Sequence, residues 1–460
     1  MFENILYQNQ VIDQLKSDIQ NGSLAPSILF SGPEYSGKGT ASLELARVQS
    51  CENETLRGNW NCSCSSCIRH KNLVSPDLLI LGRRRFFEEI SASSGTFLRN
   101  PENPGSKMLF LRSVRKFLLR FNNILWEDDP KLGKLKNQID NLEEELEDIE
   151  IAGGNADLNK KCEGIVKKAV KLQADGLGEL IPIAQIRRAA YWSRLAPLGR
   201  HKYIILENAE NMQEGAKNSL LKILEEPPPY LSIILTSTRP MILLPTMLSR
   251  LREYRFAGRK TEEEKEVLNR IFRETQTMAS SIELYLDSFL PVKSDTLYAL
   301  GAFFAASVAA EAVRETRVKN RAYSTGQTNV NAANEGLLGS SPDIPEVLID
   351  LGKYTADIAE TGAMGRPAGS VKEAIQKVLD TAEQFEIPGL FRRFLKHCSA
   401  LISSWLHNKG NNPNSSLEKS IAAELWHREL NRSAAENDSF NIGPPMVLER
   451  LFEALKTGML

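Results

Sequence analysis

Short apolar runs alternate with helical periodicities along the first 256 residues, and after that helical patterns stand alone. Val11, Leu15 and Ile19 mark one face of a helix that Asn21 and Gly22 stop. Residues 27–30 are a short buried strand, a glycine-bearing loop follows it, and Leu43, Ala46 and Arg47 begin another helix. Residues 77–81, 203–206 and 232–236 read as three further strands, with helices around Ile183, Ile186, Arg187 and Ala190 and from Glu210 to Leu224. Strands alternating with helices imply a mostly parallel sheet. No strand is expected after about residue 256: residues 257–292 are charged and helical. Residues 293–460 are helical too, interrupted by a polar Asn/Ser/Gly-rich stretch at about 317–344 that is expected to be a loop.

Residues 83 to about 180 break this rhythm. Leu132, Leu135, Ile139, Leu142, Leu146 and Ile149 are spaced as a heptad seam, with acidic residues from Glu143 to Glu150 around it. Gly153, Gly154 and Asn155 form a turn, and the next helix carries Lys160, Lys161, Lys167, Lys168 and Lys171. The pattern suggests an antiparallel hairpin with complementary flanks; two merely solvated charged faces would read the same way.

Composition narrows the class. A chain of 460 residues exceeds one ordinary core, so two to four domains are expected. The apolar fraction of 42% and charged fraction of 25% are those of a soluble globular protein. A net charge of −1 leaves no global basic field for nucleic acid, and Arg83–Arg85 is the one local basic cue. The apolar run from Thr296 to Ala310 is too short to span a bilayer and reads as a buried helix. The first residues lack the pattern of a signal peptide, so a cytoplasmic protein is expected, with no membrane partner.

Gly32–Gly39, ending Gly37-Lys38-Gly39, follows a strand and opens a helix, the context of a phosphate-binding loop. Lys38 would reach the outer phosphates. The last position of such a loop should offer a hydroxyl to Mg²⁺; here it is Gly39, and Thr40 comes one residue late, which turns it about 100° around the helix. A phosphate-loop ATPase also needs a metal-facing acid at the end of a neighbouring strand and commonly a glutamate beside it to activate water. Glu207 is the candidate acid, but Asn208 occupies the base position, where an amide cannot take the proton. Glu210 is the nearest other carboxylate, and it reads better as an ordinary acid at a helix start.

Residues 214–227 and 234–240, together with Leu244–Arg250, closely resemble bacterial DNA polymerase III clamp-loader subunits. So do the opening segment Phe2–Lys16 and Ile183–Arg187. The resemblance covers roughly residues 1–82 and 181–256 and implies the AAA+ fold: an α/β phosphate-loop domain of parallel sheet and flanking helices, then a small helical lid and an all-α collar. The displaced hydroxyl, Asn208 in the base position and the lack of an arginine-bearing second sensor motif resemble the delta-prime type more than the gamma/tau ATPase type. In this family a Ser-Arg pair supplies an arginine finger to the neighbouring subunit's ATP site, which the resemblance places at Ser249 and Arg250; the family's following cysteine is Leu251 here. Thr236–Thr238 match the first sensor segment.

The six cysteines are unevenly placed. Cys162 and Cys398 are isolated, whereas Cys51, Cys62, Cys64 and Cys67 cluster, and four thiolates suit a structural tetrahedral Zn²⁺. The family carries a four-cysteine zinc module at this place in the chain. Cys62-x-Cys64 is one residue tighter than its usual spacing, and His70 is a substitute ligand should one cysteine fail.

The expectation is therefore an AAA+ domain at 1–256, with zinc module 51–67 and a helical insert at about 83–180, a lid at 257–292 and an oligomerisation collar at 293–460. The insert, absent from the family pattern, reads as an arm that contacts a partner or decorates the domain. The resemblance implies a subunit without ATPase activity of its own, with Zn²⁺ as cofactor and ATP/Mg²⁺ binding left open. It would work with gamma/tau-type ATPase and delta-type subunits on a sliding clamp and primed DNA. The alternatives are an active gamma/tau-like ATPase using Lys38, Thr40 and Glu207, and a DNA-binding module.

Overall fold

Five strands of short, mostly buried sequence build the sheet: β1 Ser27–Ser31, β2 Leu78–Leu81, β3 Lys202–Leu206, β4 Leu231–Ser237 and β5 Arg252–Arg255. Every pairing is parallel, in the order β2-β3-β4-β1-β5. The computed structural model describes residues 1–151, 157–178, 180–274, 279–324, 346–385, 387, 389–408, 415–440 and 442–458. They divide into two units, residues 1–289 and 290–460. The sheet is an AAA+-like α/β arrangement. β5 was not expected, because only Tyr254 among its four residues is buried. As an edge strand it pairs with β1 alone, so its outward side chains can stay polar.

The helices of the first unit, in chain order, are α1 Asn9–Gln20, α2 Lys38–Ser50, α3 Ser65–Asn72, α4 Phe86–Arg99, α5 Pro104–Leu118, α6 Pro130–Ile151, α7 Leu158–Gly176, α8 Ile183–Ser193, α9 Glu214–Glu225, α10 Pro245–Leu248, α11 Thr261–Phe272 and α12 Ile282–Asp287. Helix α9 starts later than the sequence pattern suggested, because Ala209–Asn211 form a separate 3₁₀ turn.

The heptad reading of α6 holds: Leu135, Ile139, Leu142, Leu146 and Ile149 are all buried. Lys168 pairs with Glu145 at 2.5 Å, Lys161 with Asp148 at 3.6 Å, and Gln138 donates to Asp175 at 3.2 Å. Rising numbers on one helix meet falling numbers on the other, so α6 and α7 are antiparallel. The expected turn at 153–155 lies outside the described residues.

The hairpin does not project as an arm. Its seam joins one hydrophobic core with Leu79, Leu81, Leu206 and Leu235 of the sheet through the aromatic residues of α4 and α5. Phe86, Phe117, Phe121 and Trp126 make successive ring contacts at 5.2, 5.3 and 5.7 Å. Lys107 and Arg115 of α5 bond the Glu150 carbonyl and carboxylate at the end of α6. The spacing revealed a seam but not its partner.

The second unit is helical: α13 Ser294–Ser324, α14 Glu346–Thr361, α15 Val371–Thr381, α16 Leu390–His407, α17 Ser415–Phe440 and α18 Pro444–Gly458. Residues 294–321 are long and apolar enough to cross a membrane by length and composition, but 72% of their most apolar 18-residue window is buried, as in a core helix. Residues 317–324 continue α13 instead of opening the polar loop; the rest of that loop, 325–344, lies outside the described residues.

The shared core gives a direct check on the hairpin. Leu142→Ala should lower the stability of the sheet-bearing unit by about 2–5 kcal/mol, as for a buried leucine whose cavity cannot collapse. Urea denaturation followed by a probe in the sheet would read this loss, and an unchanged midpoint would make the hairpin an independent appendage.

Candidate functional site

The loop between β1 and α2 is a glycine-bearing turn that leads straight into a helix N-terminus. Gly32 has φ of 136°, and a Cβ there would lie 2.4 Å from the Phe256 carbonyl oxygen, so only glycine fits beside the end of β5. Gly37 caps α2 in the left-handed region at φ 99°. Lys38 is 7% exposed, and its Nζ donates to the carbonyls of Gly32 at 2.7 Å and of Pro33, and to Ser36 Oγ at 3.3 Å. Burial lowers the Lys38 pKa to about 8, against the opposing pull of Glu210 and Glu34. A cavity of about 270 Å³ opens over this loop, with Lys38, Gly39, Arg84, Glu207, Asn208 and Arg259 in its walls. Thr40 stands at its exposed rim.

Glu207, the expected metal-facing acid, is already occupied. Arg84 Nη1 donates to its Oε1 at 3.0 Å, and Arg120 Nη2 to its Oε2. Arg120 is held in turn by the Gly82 carbonyl at 2.8 Å and by the face of Phe86 at 5.2 Å. Burial pulls the Arg120 guanidinium down to about 10 despite Glu207. Burial also opposes the charge of Arg84, but Glu207 and Glu89 more than offset it and hold its pKa above the ordinary arginine value. Glu89, which burial would raise, is held down at about 2 by Arg84 and Lys116.

Gly39 explains itself in this setting. A Cβ at that position would sit 2.7 Å from Glu207 Oε1 and 3.0 Å from Arg84 Nη1. The hydroxyl-bearing residue of an ordinary phosphate loop would meet a guanidinium already bound to the acid. Asn208 is fixed as well: at φ 52° its N–H donates to Thr236 Oγ1 at 3.1 Å and its Nδ2 to the Arg83 carbonyl at 2.8 Å. Glu210 is more than a helix-start acid. Its Oε1 accepts from Thr238 N–H at 3.0 Å and Thr238 Oγ1 at 2.6 Å, tying β3 to the segment after β4.

The Arg83–Arg85 run is thereby removed as a nucleic-acid cue. Arg84 serves Glu207 and Glu89, while Arg85 pairs with Glu88 at 3.0 Å and with Asp287 and bonds the Tyr35 hydroxyl. Sequence reasoning missed the role of Arg84, and it missed Arg120 and Arg259 entirely. Arg259 follows β5, lies over Gly37, and donates to the carbonyls of Tyr35 and, at 3.1 Å, of Leu6.

Ser249 and Arg250 sit together at the exposed end of α10, away from these walls. Arg250 donates to the Thr246 carbonyl at 2.7 Å and to Glu225 of α9 at 2.9 Å, and its side chain keeps 35% exposure. The guanidinium is thus displayed on the surface by one carboxylate, one carbonyl and the Ser249 hydroxyl at 3.3 Å.

The cysteines converge. The Sγ atoms of Cys51, Cys62, Cys64 and Cys67 all lie within 4.8 Å of one another, with Cys51 3.7 Å from Cys62 and 4.0 Å from Cys64. A tetrahedral site with metal–sulfur bonds of about 2.3 Å places its sulfurs about 3.8 Å apart, so the four fit a metal ion. The tight Cys62-x-Cys64 spacing is accommodated, with the Cys67 N–H donating to Cys64 Sγ at 3.4 Å. Arg47 braces the group from α2, donating to Cys67 Sγ at 3.4 Å, to the Asn59 and Gly58 carbonyls, and to Glu44. His70 is not among the converging ligands; it packs edge-on against Tyr203 at 5.9 Å.

Comparison with known proteins supports the family resemblance. The profile of the family described as "DNA polymerase III, delta subunit" matches residues 7–126 and 133–260, more than half of the chain. Proteins named DNA polymerase III subunit gamma/tau from Mycobacterium bovis and Mycobacterium tuberculosis are 33% identical over 87 residues, 19% of this chain and 15% of each relative. The DNA polymerase III subunit delta' of Pseudomonas aeruginosa is 49% identical over 55 residues, 12% of this chain and 17% of that relative. The chain thus spans less than one fifth of the length of these relatives. A DNA polymerase III gamma subunit-related protein of Thermotoga maritima aligns in structure over 62% of this chain and 81% of its own, at 18% identity and a TM-score of 0.28. The chain belongs to the DNA polymerase III delta-subunit family of clamp-loader subunits.

Proposed function

We propose that the chain is a non-catalytic, delta-prime-like subunit of the DNA polymerase III clamp loader. It assembles with gamma/tau-type ATPase subunits and a delta-type subunit, and helps them place a sliding clamp on primed DNA. The observation that carries this reading is the double ion pair on Glu207. An acid neutralised by Arg84 and Arg120 has little left to offer a metal ion, Gly39 brings no hydroxyl, and Asn208 cannot act as a base. The alternative, an active gamma/tau-like ATPase, would require Glu207 to release both arginines before Mg²⁺ could approach.

Ser249 and Arg250 are the chain's contribution to catalysis, as an arginine finger reaching the neighbouring subunit's ATP site. Exposure of Arg250 beside a single surface carboxylate supports this, since such a pair is weak and exchanges readily for a phosphate. Residues 1–256 serve as the AAA+ domain, 257–292 as its lid and 293–460 as the oligomerisation collar. The metal of the four cysteines is Zn²⁺ in a structural role, because all four positions are filled by thiolates.

Two measurements check these assignments. The full chain is reconstituted with its host's gamma/tau-type ATPase, and ATP turnover is compared with and without Arg250→Ala. An arginine finger supplies about 10³–10⁵ in rate, so the site facing this chain should lose nearly all of its turnover. Unchanged turnover would remove the trans role. Separately, the purified chain should carry about one zinc per molecule. Cys62→Ser should lose that metal and lower the thermal midpoint, and an unaltered midpoint with no metal in the parent protein would leave the cysteines without this role.

A further inference from the structure

We propose that the cavity over Lys38 holds a nucleotide without any divalent cation, the guanidinium of Arg84 standing where the metal would be. This deepens the non-hydrolytic reading above and rests on it. The first support is placement. Arg84 Nη1 lies 3.0 Å from Glu207 Oε1 and 3.0 Å from the position a Cβ on Gly39 would take. A phosphate-loop hydroxyl and a strand-end acid normally hold Mg²⁺ between them; here that space already contains positive charge. Gly39 and Arg84 are a matched pair, because the missing side chain makes room for the guanidinium.

The second support is charge left over. Glu207 is shared by Arg84 and Arg120, and Glu89 by Arg84 and Lys116. Arg84 has five N–H donors and spends one on each carboxylate, so donors remain for a ligand. Two further cations, Lys38 and Arg259, are bonded to backbone carbonyls and have no carboxylate at ion-pair distance among the described residues. The Nε of Arg259 is buried with no hydrogen-bond partner. Burying such charges costs stability unless an anion arrives. The first-turn N–H groups of α2, open by the geometry of any helix start, face the same space.

The third support is the apolar part of the lining. Ile5, Leu6, Val267, Ile271 and Ile282 also line the cavity, and Val267 and Ile282 share one hydrophobic cluster with Leu6 packed against it. An apolar slot beside a cationic cradle suits a base attached to a phosphate chain better than a phosphate chain alone. Arg259 bonds the carbonyls of both Tyr35 and Leu6 and so joins the cationic and apolar parts of the lining.

The test is equilibrium binding of ADP to the full chain, by calorimetry, in EDTA and again in excess Mg²⁺, with inorganic pyrophosphate as a second ligand. ADP should bind in both conditions with dissociation constants within about threefold, and pyrophosphate more weakly, because it leaves the apolar slot empty. Arg84→Gln should weaken metal-free ADP binding roughly ten- to hundredfold, the worth of a hydrogen bond to a charged group. Arg259→Gln, which leaves the Glu207 pairing intact, should weaken it in the same direction and keeps the test valid if Arg84→Gln does not fold. Binding that requires Mg²⁺, no ADP binding by the folded chain, or parental affinity in both variants would each overturn the proposal. Pyrophosphate binding as tightly as ADP would overturn the nucleotide assignment. ATP hydrolysis by the isolated chain would instead contradict the non-hydrolytic reading, so the two failures are distinguishable.

Discussion

A carboxylate at the end of a buried strand needs a cation, and the identity of that cation decides what the strand can do. In this chain Glu207 is 5% exposed and takes its compensation from Arg84 and Arg120. Removing Glu207 would leave the buried Arg120 guanidinium without a carboxylate, a change that typically costs about 3–5 kcal/mol. The pairing is therefore part of the fold as well as of the site. Gly39 follows from the same pairing, since a Cβ there would meet Glu207 Oε1 at 2.7 Å and Arg84 Nη1 at 3.0 Å.

The helical region at about 83–180, most of which the family profile also matches, supplies that cation. Arg120 lies in a 3₁₀ turn, Leu119–Phe121, directly after α5. The ring contacts of Phe86, Phe117, Phe121 and Trp126 fix the turn, and Trp126 Nε1 donates to the Arg120 carbonyl at 2.6 Å. Below them the α6–α7 hairpin completes the hydrophobic core. Lys116, which helps hold Glu89, comes from α5, the helix that also carries Phe117 of the ladder. These helices thus have a structural task at the site, reached through packing.

Much of this was legible in the sequence, and the unread parts share a physical cause. Four strands announced themselves as apolar runs because both faces of a parallel sheet are buried. The fifth, Arg252–Arg255, is an edge strand with polar side chains and gave no such signal. The phosphate loop was readable because its glycines and Lys38 are contiguous. The heptad seam of α6 was readable as a seam, but spacing names no partner. Arg84 and Arg120 could not be assigned from the sequence, since the first is separated from Glu207 by 123 positions and the second by 87. Gly39 was the one hint: a missing side chain that records a neighbour only the fold brings near.

Arg250 stands apart from this chemistry, on the exposed end of α10, so the cavity over Lys38 and the displayed guanidinium are separate features of the sheet-bearing unit. Whether Glu207 is truly closed to metal is open to direct measurement. Mn²⁺ can be titrated into the full chain and into Glu207→Gln, in the presence of ADP, and followed by electron paramagnetic resonance. The expected result is the same Mn²⁺ uptake by both proteins, because Glu207 offers the ion nothing. A protein-bound Mn²⁺ present in the parent chain and lost in Glu207→Gln would contradict the central role of the arginine pairing.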